Sequence, residues 1–575
     1  MRRAALVGLL VLAVAGCGAP GGDAAGPDPF GACAAQPNAC NGGGRRPGGT
    51  FVVALTQAPA GFNVVATTGA VGPAYTVMNS LLPHAFSTRP DGSAVPDGDL
   101  LASVSMTSNS PQTVVYQIAP GAVWSDGTPI GAADFSYAWK TQNGRDCPAC
   151  PAASSDGYDQ IASVAGSPDG RTVTVTFRQP YPDWRGLFNA LYPAHLEGAG
   201  LDLSTADGLR AAFDRQEAQP TWSGGPYTIS AYQRDRQLDL VPNPRWYGAD
   251  KPTLARLRYR FLGDQSRLLG ALQTGDVNAL TAQPSQDLVD VLHGLAGSGV
   301  RYEIAAGPVA ERLDLDVHSD ALADPALRRA IFTTIDVDEI LRQSVRGYFP
   351  GVRRAYSHNL SPGVIGYQDV VRQVAPQQGS GDPAAAGKIL AQAGYAVTGG
   401  RLARDGVPVP VLRLRYTQGD DTREQAARLI QRQLARIGVT VHLDPTGDLA
   451  TALAGYDYDL ALFGWPVGAA SAAARDLWSS AGTANHTGWG DPDSDALLKQ
   501  VAQELDPQRM ADELNQQDGI LTQAAVVLPL YQRPVLLALS GDYVNVRANA
   551  PAYLSYNAQQ WGLAGPSPLA SVTPG

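Results

Sequence analysis

The run from Val123 to Lys140, Val-Trp-Ser-Asp-Gly-Thr-Pro-Ile-Gly-Ala-Ala-Asp-Phe-Ser-Tyr-Ala-Trp-Lys, constrains the fold more than any other stretch of this chain. Ser125-Asp126-Gly127 reads as a turn, because glycine tolerates positive φ and aspartate bonds its own backbone. Gly131 can cap a helix. Asp134, three residues on, offers a carboxylate to the open N–H groups of the first turn. Phe135, Ala138 and Trp139 then share one helical face. Alone, this is a turn and a small amphipathic helix that any globular protein could own.

The chain around it has 575 residues, 44% of them hydrophobic and 17% charged, which is globular and long enough for two to four domains. A net charge of −10 argues against nucleic acid as a partner. Arg2 and Arg3 precede a short apolar run, Ala4 to Ala15, too short to span a bilayer and therefore read as a signal peptide. It ends in Val14-Ala15-Gly16-Cys17, which resembles a bacterial lipobox; the other reading is an ordinary signal with a chance cysteine. The first reading makes residues 1–16 the signal and Cys17 a lipidated anchor. Residues 17–49, rich in Gly, Pro and Ala, become a tether that cannot bury enough surface to fold alone. No other segment has eighteen uninterrupted apolar residues, so the rest is expected outside the membrane, held by the lipid only.

Export implies an oxidising compartment. Cys33, Cys40, Cys147 and Cys150 allow three pairings. Cys33–Cys40 and Cys147–Cys150 are favoured because both close short loops at low entropy cost. Cys147-Pro-Ala-Cys150 also has the spacing of a redox motif, but no βαβ unit opens there, and no His or carboxylate cluster supports a zinc site.

Thr50–Leu55, Gln112–Ile118 and Thr172–Phe177 read as strands. Pro180 to Leu196 places Trp184, Phe188 and Tyr192 at spacing four, as on one helical face. Asp264 caps a helix that Gly275 ends, and Asp324-Pro325 and Asp382-Pro383 repeat a helix-start signal, Asp as cap and Pro at the first position. Leu313–Val317, Leu412–Tyr416, Val439–Leu443, Tyr458–Phe463 and Val526–Tyr531 read as strands, and the helix Thr422–Ile437 between two of them makes a βαβ unit.

Four stretches together carry a resemblance. Trp124–Trp139 resembles the "WSDGTPxTAxDFxYSW" segment of extracellular solute-binding protein family 5, the oligopeptide- and dipeptide-binding lipoproteins of ABC importers, with Gly131 in place of the usual capping Thr. Gly224-Gly225-Pro226-Tyr227 with Asn243-Pro244-Arg245-Trp246-Tyr247, then Gln273–Val277, then the helix from Asp324, follow in the family's order. The branch is similar to a mycobacterial lipoprotein linked to phosphatidylinositol-mannoside and lipoarabinomannan synthesis. The resemblance spans roughly Thr50 to Pro551. It implies an α/β, type II periplasmic-binding-protein-like (cluster C) fold: two hinged lobes plus an inserted α/β domain. One lobe would hold 50–83, 224–305 and 526–575, the inserted domain 84–223, and the other lobe 306–525. It implies a monomer on the outer face of the cell membrane that hands an oligopeptide or other amphipathic ligand to an ABC permease. The alternative is a non-transport binding or regulatory lipoprotein of envelope glycolipid synthesis on the same fold.

No His-Glu-x-x-His, Walker loop or Gly-x-Ser-x-Gly elbow occurs, so no catalysis, cofactor or metal is expected. In peptide-binding relatives, an Asp soon after the Gly-Trp strand end pairs with the ligand's ammonium. Here the run is Gly464-Trp465-Pro466-Val467-Gly468-Ala469-Ala470-Ser471, and the first acid after it is Asp476. Gly464, Trp465 and Tyr531 are candidates for the pocket wall, Asp314 for an alternative ammonium partner, and Asn485 and His486 for polar pocket groups. Core packing or helix capping is the plainer role for each.

Overall fold

The computed structural model describes residues 42–69, 72–466 and 471–565. Cys17, Cys33, Cys40 and the Val467–Ala470 run lie outside them. A ten-stranded sheet crosses the molecule in the spatial order Val441–Thr446, Leu412–Thr417, Leu460–Pro466, Val300–Leu315, Val527–Ser540, Ala279–Ala282, Thr50–Leu55, Arg256–Phe261, Gln237–Pro242, Tyr227–Gln233. The Leu412, Leu460 and Val441 strands are mutually parallel, joined by the predicted helix, here Asp421–Ala435, and by Leu449–Ala454.

The middle of the sheet departs from the sequence reading. Two strands predicted at about five residues each are 16 and 14 residues long, Val300–Leu315 and Val527–Ser540. They pair antiparallel from Val300–Ser540 to Asp314–Val527, with register shifts between Ala306 and Ala310 and between Glu311 and Arg312. Gly307-Pro308 breaks the alternation in one strand, and Pro529 and Pro534 in the other. Proline withholds a ladder donor, so bulges absorb what would otherwise end the strands.

Each half of the sheet has its own core. One gathers Phe51, Val53, Tyr227 and Trp561 and runs without a break into Trp124, Phe135, Phe188 and Tyr192. The other gathers Leu313, Leu315, Ile331, Phe332, Leu414, Ile430 and Leu460. A four-stranded antiparallel sheet, Leu101–Asn109, Gln112–Ile118, Thr172–Phe177 and Ile161–Gly166, packs its alternate apolar residues into the first core.

The opening stretch is the joint of that core. Its helix is Ala132–Gln142, capped at Gly131. The buried Asp134 accepts three hydrogen bonds: from Gly131 N at 2.9 Å, Trp124 Nε1 at 3.3 Å and Ala194 N at 2.9 Å. Burial raises its pKa to about 6 against the pull of those donors.

The predicted helical face at 180–196 is not there. The segment holds only a short 3₁₀ turn, Trp184–Gly186, and the helix Ala194–Glu197, and Phe188 sits at φ 59°. Pro180, Pro182 and Pro193 deny it donors and dihedrals. The spacing-four aromatics are buried all the same, with Phe188 edge-on to Tyr116 and Tyr158.

Replacing Asp134 by Ala strands three buried donors. The expected loss is roughly 2–4 kcal/mol of unfolding free energy by denaturant titration, with Asp134→Asn, which keeps one acceptor, in between.

Candidate binding cleft

At the edge of the first core lies a cavity of about 670 Å³. Val64, Tyr75, Tyr158, Tyr181 and Leu187 wall it from that core; across the gap, Trp465 and Ala484 pack on a third, smaller cluster that includes Ala474, Leu477 and Trp478, and Ala472 and Ala473 complete the wall. A smaller space of about 330 Å³ continues from it, sharing Asp156, Tyr181 and Ala472. The larger cavity has three carboxylates in its wall, Asp156, Asp183 and Asp476, and no lysine or arginine among the described residues. Its size and aromatic lining are those of a small-molecule or peptide site.

Local structure explains how each wall is held. The helix Ser471–Trp478 begins just past the Gly464-Trp465-Pro466 strand end and carries Asp476. Asp183 approaches its first turn from the opposite wall. Its Oδ2 accepts from Ser471 Oγ at 2.7 Å and from Ala472 N at 3.1 Å. A carboxylate from one side thus caps a helix on the other, where exposed N–H groups favour negative charge. Burial raises the Asp183 pKa; its Ser471 and Ala472 hydrogen bonds oppose the shift and the Asp156 charge adds to it. Burial and then Asp156 also raise Asp476, with Arg475 opposing.

The opposite wall depends on Cys147 and Cys150, which form a disulfide. Directly after it, Ala152 bridges Ala66, Thr67 N donates to Pro151 O at 2.9 Å, and Ala153 N donates to Val65 O at 2.8 Å. Ala153, Ser154 and Asp156 then enter the cavity lining. The staple therefore sits at the root of the wall.

Of the six residues put forward from sequence as ligand contacts, Trp465 alone lines this cavity. Gly464 lies opposite Glu311 on the first long strand; a Cβ there would come within 2.4 Å of Val309 Cγ1 and 3.1 Å of Glu311 Oε2, so its place is a close backbone approach. Tyr531 is 2% exposed, bridged to Arg354 and packed in the second core. Asp314 is fully buried, 3.0 Å from Arg312 Nη2, with its pKa raised to about 6 by burial against the pull of that cation. Asn485 is buried and closes its own loop, donating to Ser479 O at 3.0 Å and Trp489 O at 2.7 Å. His486 stands behind the wall, its ring against Trp465 and Phe463, and burial, with help from Arg312, lowers its pKa to about 4. Asp156 and Asp183 carry no local signal that singles them out. They reach the cleft only because segments 288 residues apart in sequence meet there.

A cleft between two half-sheets that share a pair of long strands is the architecture of a two-lobed solute-binding protein. The family comparison agrees. Residues 96–486 match the model for bacterial extracellular solute-binding proteins, family 5, and the chain belongs to that family, with its type II periplasmic-binding-protein-like α/β fold. It is 33% identical over 520 residues to the oligopeptide-binding protein OppA of Mycobacterium tuberculosis, covering 89% of this chain and 84% of that one. It is 29% identical over 422 residues to a probable monoacyl phosphatidylinositol tetramannoside-binding protein, LpqW, of the same species, covering 67% of this chain and 63% of that one. Among solved structures, the periplasmic EDTA-binding protein EppA superposes with a TM-score of 0.86 at 33% identity, over 92% of this chain and 98% of that one.

Two outcomes follow. Asp183→Ala removes the cap that bridges the walls; ligand affinity is expected to fall about three- to tenfold, with a larger radius of gyration for the loaded protein in small-angle X-ray scattering. Replacing Cys147 and Cys150 by Ser is expected to speed amide hydrogen exchange at Val65, Thr67 and Ala153 while leaving exchange in the long strands unchanged.

Proposed function

We propose that this chain is the lipid-anchored, ligand-collecting component of an ABC importer, and that its cleft takes oligopeptides through a cationic group. The lobes at 50–83, 224–305 and 526–575, and at 306–525, with 84–223 inserted, close on the ligand about the two long strands. Cys17 tethers them to the outer face of the membrane.

The observation that carries this reading is the charge of the cavity: three carboxylates, aromatic walls and no basic residue in its lining among the described residues, against Arg475 of the adjoining space, 3.6 Å from Asp156 and 3.8 Å from Asp476. Burying Asp183 and Asp476 opposes their ionised forms, which is what their raised pKa values express. A ligand ammonium between them offsets that cost, so closing and loading favour each other. The missing Asp after Trp465 is thereby answered by Asp476, on the helix that follows the strand of Trp465, and by Asp183 across the gap. The same carboxylates repel a polyanion. They disfavour EDTA, for which EppA is named, and the phosphoinositol group in the name of LpqW, as occupants of this cleft.

Titration calorimetry with a free peptide, its N-acetylated form and EDTA tests the proposal. The free peptide is expected to bind at least tenfold more tightly than the acetylated one, and EDTA not at all; equal affinity for the two peptides, or EDTA alone binding, would overturn it. Asp476→Asn is expected to cost about tenfold. The pH dependence has a definite sign. As the carboxylates protonate they lose attraction for a cation, so affinity falls on acidification. Because their pKa values are raised, the fall starts above the ordinary carboxylate range near ~4.

A further inference from the structure

A second cavity, of about 370 Å³, shares no residue with the cleft. It lies beside the helices Val337–Ser344 and Val370–Val374 and the segment 346–356 that connects toward the second long strand. Four arginines line it, Arg346, Arg353, Arg354 and Arg372, against two carboxylates, Asp338 and Asp369. The carboxylates are already committed: Asp338 to Arg346 at 3.0 Å and Asp369 to Arg372 at 2.9 Å. That leaves two cations without a carboxylate. Arg353 is exposed, with no ion-pair partner among the described residues. Arg354 donates to the backbone carbonyls Gly379 O at 3.2 Å and Gln378 O, and its Nε is buried without a partner.

The ring of Tyr356 gathers these charges. The Arg354 guanidinium carbon is 4.7 Å from its centroid and that of Arg372 is 4.1 Å away. Two guanidinium groups drawn to one ring repel each other, and the ring's own attraction for each cation is weak. An oxyanion in the cavity would relieve that repulsion, satisfy the stranded Nε and balance the two excess charges. Planar guanidinium forks match tetrahedral oxyanions in geometry as well as charge.

We propose that this cavity is an anion site for a phosphate group, separate from the ligand cleft, with Arg353 and the Nε of Arg354 as its free donors. The group has two possible sources, free phosphate and the headgroup of a phospholipid in the membrane that the chain faces.

The test is titration calorimetry of the full chain in detergent with inorganic phosphate and, separately, with glycerophosphoinositol, at matched ionic strength in chloride. Saturable binding of either supports the site; tighter phosphate identifies a free anion, and tighter glycerophosphoinositol a lipid headgroup. Arg353→Ala should weaken that binding about tenfold and Arg353→Glu abolish it, with unchanged melting curves, because Arg353 is exposed and holds no other group. Peptide binding in the cleft should be unaffected by either change. No saturable binding of either probe, or binding indifferent to both substitutions, would overturn the proposal.

Discussion

Everything else in this molecule depends on the pairing of Val300–Leu315 with Val527–Ser540. Each strand belongs to both halves of the sheet, so neither half can move without bending them. Where their register slips, Glu311 is buried at 1% exposure and held by Arg423 Nε at 2.6 Å and Arg533 Nη1 at 3.0 Å; Asp420 takes the other fork of Arg533 at 2.8 Å. Such a network costs several kcal/mol per ion in desolvation and returns it only when every member is present. It therefore fixes the register of the strands more than it adds to stability. Gly464 lacks a Cβ because that space belongs to Glu311 and Val309.

The cleft inherits its chemistry from this frame. Its walls come from different cores, and at the cavity they meet through a helix terminus and a carboxylate. Attraction between Asp183 and the helix of Ser471 draws the walls together, while burial of Asp183 and Asp476, beside the charge of Asp156, disfavours their ionised forms. On the function proposed above, that balance makes an empty closed cleft costly and a cation-filled one favourable. A binding protein that must release its cargo gains from such a narrow margin.

Much of the fold was legible locally. Asp-Pro pairs start helices at 325 and 383 because proline needs no donor there and aspartate supplies an acceptor. Asp134 reaches back to the Gly131 cap at the spacing a helix turn dictates. The long strands were not legible, because Gly307-Pro308 and two prolines imitate chain breaks that pairing then overrides. Nor was most of the site. Trp465 stands next to the end of a strand, where the chain leaves the sheet. Asp314, Tyr531, Asn485 and His486 have the right chemistry, but each finds its partners inside its own neighbourhood. Asp156 and Asp183 matter only through what they face, and a linear pattern does not record facing.

The disulfide between Cys147 and Cys150 has a consequence for when the site comes into being. The bond forms only where thiols are oxidised, and it roots the wall that carries Ala153, Ser154 and Asp156. Cys147 is part of the first core, but the second core and the long strands lie apart from it. Without the bond the wall loses its tie, so the finish of the cleft depends on an oxidising compartment.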